Sequence, residues 1–248
     1  MRRPSVLRTG LILACFGVVL SACTPAPVAQ GHNDPYEVAN RKRFERAVQS
    51  DRKMLRPVAH AYGEVVPAPL RQIVSNVSAN LSLPSSIVNN ILQANVEDAI
   101  VNTFRFAFNS TIGLGGTLDP ASLLEVHARE SDFGETLHHW GVSEGAYLVV
   151  PLVGPSTERD AVGKVVDLFT NPLSYVVPTP ESYAMPVSGA LDKLGSRYRF
   201  STTVDSVLYD SADAYSQSRL LYLENRRFTL GGGAEDDYFD PYENTYSE

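Results

Sequence analysis

A mainly α fold is what this sequence predicts, on three observations. Apolar residues recur at helical spacing, most clearly at Leu70, Ile73, Val74, Val77 and Leu81, which fall at i, i+3, i+4, i+7 and i+11. Extended candidates are scarce, and the best of them is Tyr147 to Val150, stopped by Pro151. Apolar residues make up 44% of the 248-residue chain and charged residues 20%, a balance that suits one globular body.

Taken from the N-terminus, residues 1–22 read as a lipoprotein signal peptide. Arg2, Arg3 and Arg8 form a positive start, and Leu11 to Leu20 an apolar core too short to span a bilayer comfortably. Leu20-Ser21-Ala22-Cys23 fits the lipoprotein cleavage pattern, which makes Cys23 the expected lipidation site and the first residue of the mature chain. The other reading is an ordinary secretory signal that happens to contain a cysteine. Acyl chains on Cys23, at about 0.8 kcal/mol per buried methylene, anchor a protein without any spanning helix. Cys15 lies inside the signal, so the mature chain has neither a disulfide framework nor a thiolate metal site.

Residues 23–33 are rich in Pro, Ala and Gly and read as a flexible tether; the body then runs over 34–228. Residues 229–248 carry the glycine run Gly231-Gly232-Gly233, and Glu235 to Glu248 holds six acidic residues and no basic one, which reads as a flexible acidic tail. Loss of the three signal arginines takes the formal charge from -7 to -10, because no acidic residue precedes Asp34. That charge argues against nucleic acid as a partner.

Within the body, helices are expected over Asn40 to Arg56, then over Leu70 to Leu81 up to a break at Pro84, then over Ile87 to Phe108. On the last of these, Ile100, Phe104, Ala107 and Phe108 share one side while Phe106 points well away, so the helix is apolar on more than one face. Val162, Val165, Val166 and Phe169 predict a short helix ending near Pro172. Val204, Leu208, Ala212 and Tyr215 predict a longer one reaching Arg227.

Gly113, Gly115 and Gly116 break the apolar helix that precedes them and leave two readings, a hinge or gate and a tight helix-to-loop turn. They lack the spacing and the lysine of a phosphate-binding loop. The basic run Arg41, Lys42, Arg43, Arg46, Arg52, Lys53 and Arg56 reads either as contacts to lipid phosphates or as a solvated helix face. Gly141-Val142-Ser143-Glu144-Gly145 matches the serine-hydrolase pattern, with His138 and His139 nearby, but the order of flanking elements is wrong for a nucleophile elbow, so no enzymatic activity is expected. Adjacent histidines have no metal-ligand spacing, and neither a metal nor another cofactor is expected.

Asp34-Pro35-Tyr36-Glu37, Asn40-Arg41, Arg56-Pro57-Val58-Ala59 and Tyr62 resemble the start of the MlaA (VacJ) family of outer-membrane lipoproteins. The resemblance continues through Phe104-Arg105-Phe106, Asn109 to Gly116, Asp119, Asp132 to Leu137, Trp140-Gly141-Val142, Gly145 to Pro151, Gly154-Pro155-Ser156 and Arg159-Asp160. It implies a ring of amphipathic helices around a central amphipathic channel, embedded in one leaflet of the outer membrane on its periplasmic side. It further implies a trimeric porin alongside, removal of mislocalised phospholipid from the outer leaflet, and its transfer to a soluble periplasmic carrier. A headgroup crossing hydrocarbon carries a cost of several kcal/mol or more, about that of a lone charge, which a polar-lined pore lowers. Candidate channel or membrane contacts are Asn102, Phe104, Arg105, Phe106, Phe108 and Asn109. The alternative for the polar ones is a buried helix with satisfied groups. For the whole chain, the alternative is a structural, porin-associated scaffold without a transport role.

Overall fold

The structure, a computed structural model, describes residues 33–231. The signal peptide, Cys23, the tether up to residue 32 and the acidic tail lie outside the described residues. Helix α1 (Glu37–Ser50) passes through one π-helical turn, Asp51–Leu55, into α2 (Arg56–Val65). Then come α3 (Ala68–Leu92), α4 (Val96–Thr111), α5 (Pro120–Leu123) and α6 (Phe133–His139). Strands β1 (Tyr147–Val150) and β2 (Gly154–Thr157) pair antiparallel, with Tyr147 opposite Thr157. The chain continues with α7 (Glu158–Thr170), α8 (Leu173–Val176), α9 (Ala184–Arg199), α10 (Ser201–Asp205), a second π-helical turn at Ser206–Asp210, and α11 (Ala214–Thr229). The mainly α class and the strand at Tyr147–Val150 stand as expected.

Helix starts follow from local chemistry. Asn95, Asp119, Asp132, Thr157 and Asp213 each accept a hydrogen bond from the backbone N–H three residues on, which satisfies a donor that the first turn leaves without a partner.

Two sequence expectations are corrected. The break at Pro84 does not occur, because α3 runs straight through it. Proline removes one backbone donor, but α3 packs against α4, α6, α7 and α9, and Leu83 and Pro84 are themselves buried, so tertiary contacts offset the lost bond. The chain turns instead at Gln93–Asn95, where Ala94 takes a φ of 57° and Asn95 caps α4. The single helix expected from Val204 to Arg227 is interrupted at Ser211–Asp213, because Asp213 caps a new helix by accepting from Ser216 N at 3.1 Å.

Helix α9, which the sequence reading did not single out although Val187, Leu191, Leu194 and Tyr198 fall at i, i+4, i+7 and i+11, packs against α2 and α3. Where it crosses α2, a Cβ on Gly63 would stand 2.2 Å from Tyr198 Cγ, so only glycine fits there. The apolar core is small. Phe44 of α1, Tyr147 and Val149 of β1, and Tyr215 and Leu223 of α11 form it, with Phe44 meeting Tyr215 edge-on at 5.7 Å between ring centres.

Most of the remaining interior is polar, and among the described residues buried polar side chains outnumber buried hydrophobic ones. Asn40, 0% exposed, stands in for a neighbouring strand: its amide donates to Tyr147 O at 2.9 Å and accepts from Val149 N at 3.0 Å. Asn89 links Asp167 of α7 to Thr136 of α6 through bonds of 3.2 and 3.1 Å. Three arginine–aspartate–tyrosine clusters tie the last third of the chain to what precedes it. Arg219 and Tyr215 hold Asp34; Arg226 and Tyr222 hold Asp160; Arg197 and Tyr209 hold Asp51 at the π-helical turn.

Burial alone would raise the Asp51 carboxyl, but the bonds from Arg197 and Tyr209 bring it below its ordinary value. Asp160 is likewise lowered, because the nearby Arg226 charge and the Tyr222 hydrogen bond outweigh burial. Acids depressed in the folded state contribute stability above their unfolded value of about 3.9, and that contribution is lost as pH falls through the lower folded values. Arg197→Met is therefore expected to cost about 3–5 kcal/mol at neutral pH, because it strands a buried carboxylate. In denaturant titrations the deficit should shrink as pH falls into the acid range, starting above the ordinary carboxylate value because burial raises Asp51 once Arg197 is gone, and Asp51→Leu combined with Arg197→Met should cost less than Arg197→Met alone.

Candidate functional site

Helix α4 is amphipathic with its polar side inward. Val96 and Ile100 are 64% and 63% exposed, Phe104 is 42% exposed, and Ile112 continues their line four residues at a time. Phe104 stacks on the half-buried Phe108 with ring centres 5.2 Å apart, and Phe106 is also half-buried. Beside this line an open apolar groove of about 530 Å³ runs along the end of the α3–α4 hairpin, lined by Ile87, Ile91, Val96, Ala99, Ile100 and Phe104 among others.

The opposite side of α4 is committed to the protein's own chain. Asn102, fully buried, donates to Arg129 O at 2.6 Å and to Asn90 Oδ1 at 3.0 Å, and accepts from Arg129 N at 3.0 Å. Arg105 grips Asp119 with Nη2 at 3.1 and 3.0 Å from the two carboxylate oxygens, and its Nη1 donates to Val126 O. Asn109 donates to Asp119 Oδ1 at 2.8 Å and accepts from Ala121 N at 3.1 Å. Burial would raise Asp119, but Ser122, Asn109 and Arg105 together hold it below its ordinary value. Asn102, Arg105 and Asn109 thus clamp the segment 119–129 onto α4, close to the satisfied arrangement that the sequence left as an alternative, although the buried Arg105 Nε finds no hydrogen-bond partner among the described residues.

The three glycines form the turn after α4. A Cβ on Gly113 would stand 2.5 Å from the carbonyls of Asn109 and Leu118; one on Gly116, at φ 85°, would stand 2.6 Å from Asn80 Cβ; Gly115, at φ 74°, faces open space. The turn is closely packed on α3, with Gly115 as its loose point.

Around Ser143 the order is helix α6, loop, strand β1, the reverse of a nucleophile elbow. His138 lies against Arg159, Nδ1 to Nη1 3.2 Å, and burial followed by the Arg159 charge lowers its pKa. Among the described residues no cluster of His, Cys, Asp or Glu has the arrangement of a metal site. The basic run divides: Arg41 pairs with Glu37 and Asp213, Arg56 with Asp205, and Arg52 lies over the Tyr209 ring, whereas Lys42, Arg43, Arg46 and Lys53 are exposed.

The profile of the MlaA lipoprotein family matches residues 32–229, nearly the whole described chain. The chain belongs to the MlaA lipoprotein family. It is 32% identical over 209 residues, 82% of this chain and 81% of the other, to the intermembrane phospholipid transport system lipoprotein MlaA of Escherichia coli strain K12. An uncharacterized protein of Rickettsia typhi is 34% identical over 183 residues, 73% of this chain and 72% of the other. A solved structure presented as the structural basis for maintenance of bacterial outer membrane lipid asymmetry is similar with a TM-score of 0.69 and 30% identity, and covers 80% of this chain and 100% of its own. The MlaA likeness agrees with the resemblance read from the sequence motifs.

Sequence reasoning missed the groove residues Ile87, Ile91 and Val96 and the clamp formed by Asp119. The four-residue spacing of Val96, Ile100, Phe104, Phe108 and Ile112 was the available signal for an outward apolar line. Gly115→Ala is expected to cost about 1–2 kcal/mol for its left-handed backbone alone. Gly116→Ala should cost more because it also collides with Asn80, and thermal melts of the two variants in detergent check the order.

Proposed function

We propose that this protein is a lipid-anchored outer-membrane lipoprotein that removes mislocalised phospholipids from the outer leaflet. They pass through an amphipathic channel framed by a ring of its helices to a soluble periplasmic carrier, which maintains outer-membrane lipid asymmetry. The observation that carries this reading is the inverted distribution of polarity. Large apolar side chains such as Leu123, Leu168, Phe169, Tyr175 and Val176 are exposed while asparagines and arginines fill the interior. Exposed apolar surface on this scale marks contact with a membrane or a partner. Among the described residues no helix is long and apolar enough to cross a bilayer, so the surface suits one leaflet.

In this reading the groove at the α3–α4 hairpin, with Phe104 and Phe108 beside it, meets acyl chains. Asn102, Arg105 and Asn109 hold the wall behind it, and Phe106 packs within that wall. The turn at Gly113, Gly115 and Gly116 is the pivot of any gate, with Gly115 as the residue that moves. Acylated Cys23 keeps the body at the periplasmic face, and a trimeric porin sits alongside. The name of the Escherichia coli relative, an intermembrane phospholipid transport system lipoprotein, supports the substrate class.

The test is phospholipid exposure in the outer leaflet of a deletion strain. Exposure should rise on deletion, return to normal with the wild type, and stay high with Cys23→Ala and with Ile100→Asp combined with Phe104→Asp. An unchanged leaflet on deletion contradicts the reading and favours the scaffold. In the unacylated Cys23→Ala background, the double aspartate substitution should also lower partition into phospholipid vesicles roughly tenfold or more, because it removes apolar area and adds charge at the membrane.

A further inference from the structure

A second cavity, of about 670 Å³, lies where the loop after α6 meets the start of α7 and the end of α11, and His138, Val142, Glu144, Arg159, Arg227 and Leu230 are among its lining residues. Its volume falls in the range of small-molecule sites, about 300–1,000 Å³. Arg159 is nearly inaccessible, with its side chain 2% exposed. Its bonds are long: Nη1 is 3.2 Å from His138 Nδ1 and 3.4 Å from Val142 O, and Nε is 3.4 Å from Asp160 Oδ1. Nη2 is buried and has no hydrogen-bond partner among the described residues. Asp160, the nearest carboxylate, already serves Arg226 and Tyr222.

The second arginine is also loosely held. Arg227 reaches Glu144 only at 3.4 Å through Nε and Nη2, and its side chain is 39% exposed. Among the described residues Glu144 is the one acidic residue lining the cavity. Burial and the Arg159 charge favour the neutral imidazole of His138; its Nδ1 accepts from Arg159, so Nε2 carries the proton and can donate to a ligand without adding charge. A buried guanidinium N–H left unpaired is costly, and a bidentate oxyanion is the group that satisfies it best. Paired guanidinium forks match the tetrahedral oxygens of a phosphoryl group, and the cavity has room for the glycerol attached to one.

We propose that the Arg159–Arg227 cavity binds a phosphoryl anion, with Arg159 as the buried fork and Arg227 as the entry-side cation. That the phosphoryl group belongs to a glycerophospholipid headgroup rests on the lipid-transport reading; the anion site itself does not. The cavity shares no lining residue with the apolar groove of the α3–α4 hairpin, so headgroup and acyl contacts fall on separate parts of the molecule.

Calorimetric titration of the full chain in a non-ionic detergent tests this, with glycerophosphoglycerol, inorganic phosphate and acetate as probes. The first should bind, acetate should not, and Arg227→Gln should weaken binding by tenfold or more with unchanged melting. Arg159→Lys keeps the charge but loses the fork, and should weaken binding at least as much; a melt confirms that the variant is folded. Tighter binding of the diester than of inorganic phosphate supports the headgroup as source. Equal or tighter binding of inorganic phosphate keeps the anion site and overturns the headgroup assignment. Absence of binding by either phosphoryl probe, or binding unaltered in Arg227→Gln, overturns the site. Calorimetric binding of a phosphoryl probe together with an outer leaflet unchanged on deletion keeps the anion site and overturns the transport reading and the headgroup assignment that rests on it.

Discussion

The fold depends on buried carboxamides and guanidinium groups that bond across its elements. A chain that leaves so many large apolar side chains on its surface cannot build its interior from them, so the interior has to be specified by directional bonds. Asn40 and Asn102 each use a carboxamide to supply the donor and the acceptor that a non-helical segment lacks, and Asn109 ties the Asp119 carboxylate and the Ala121 N–H at the start of α5 to α4. Such bonds are individually modest, about 0.5–1.5 kcal/mol net, yet leaving one partner buried alone costs more than the bond contributes. The network therefore fixes register more than it adds stability. Helix α11 belongs to it twice, through Arg219 to Asp34 and through Arg226 to Asp132 and Asp160.

That constraint links the fold to the surface. Because Arg105, Asn109 and Asp119 hold α4 from its polar side, the opposite line of Val96, Ile100 and Phe104 stays outward. On the proposed placement in a leaflet, a groove built on a clamped helix keeps its shape as its solvent changes from water to hydrocarbon. In that setting the polar bonds inside lose competition from water, while the apolar exterior no longer carries a cost. The same inversion would be a liability in a freely soluble protein, where exposed apolar patches of this kind drive association.

Much of the fold was legible in the sequence, and the places where it was not are physically instructive. The helical class, the strand at Tyr147 and the helix over Val162 to Phe169 follow from periodicity and stop signals. Pro84 misled because a local rule met a helix packed on several sides. Asp213 carried a cap signal, Asp-x-x-Ser, that the apolar spacing on either side concealed. Helix α9 was legible but missed: Val187, Leu191, Leu194 and Tyr198 keep helical spacing, while Pro186, Gly189 and Gly195 among them read as breakers until its packing on α2 and α3 is seen. At the candidate site, Asn102, Arg105 and Asn109 were visible as polar residues on an apolar helix. What they grip was not, because Asp119 and the backbone near residue 129 reach them only through the tertiary fold. Arg159 and Arg227 lie 68 positions apart and share no motif, so their common cavity appears only in three dimensions.

The most direct test of the central claim, that an apolar exterior on a polar-clamped frame sits in one leaflet, is the depth of that exterior in a bilayer. Nitroxide labels placed singly at Ile91, Ile100 and Phe104 of the acylated protein in phospholipid bilayers report accessibility to oxygen and to a water-soluble nickel complex. The account predicts that all three read hydrocarbon at depths short of the bilayer midplane, while labels at the exposed Lys42 and Glu45 read water. Labels at Ile91, Ile100 and Phe104 that read water as fully as those at Lys42 and Glu45 would contradict it.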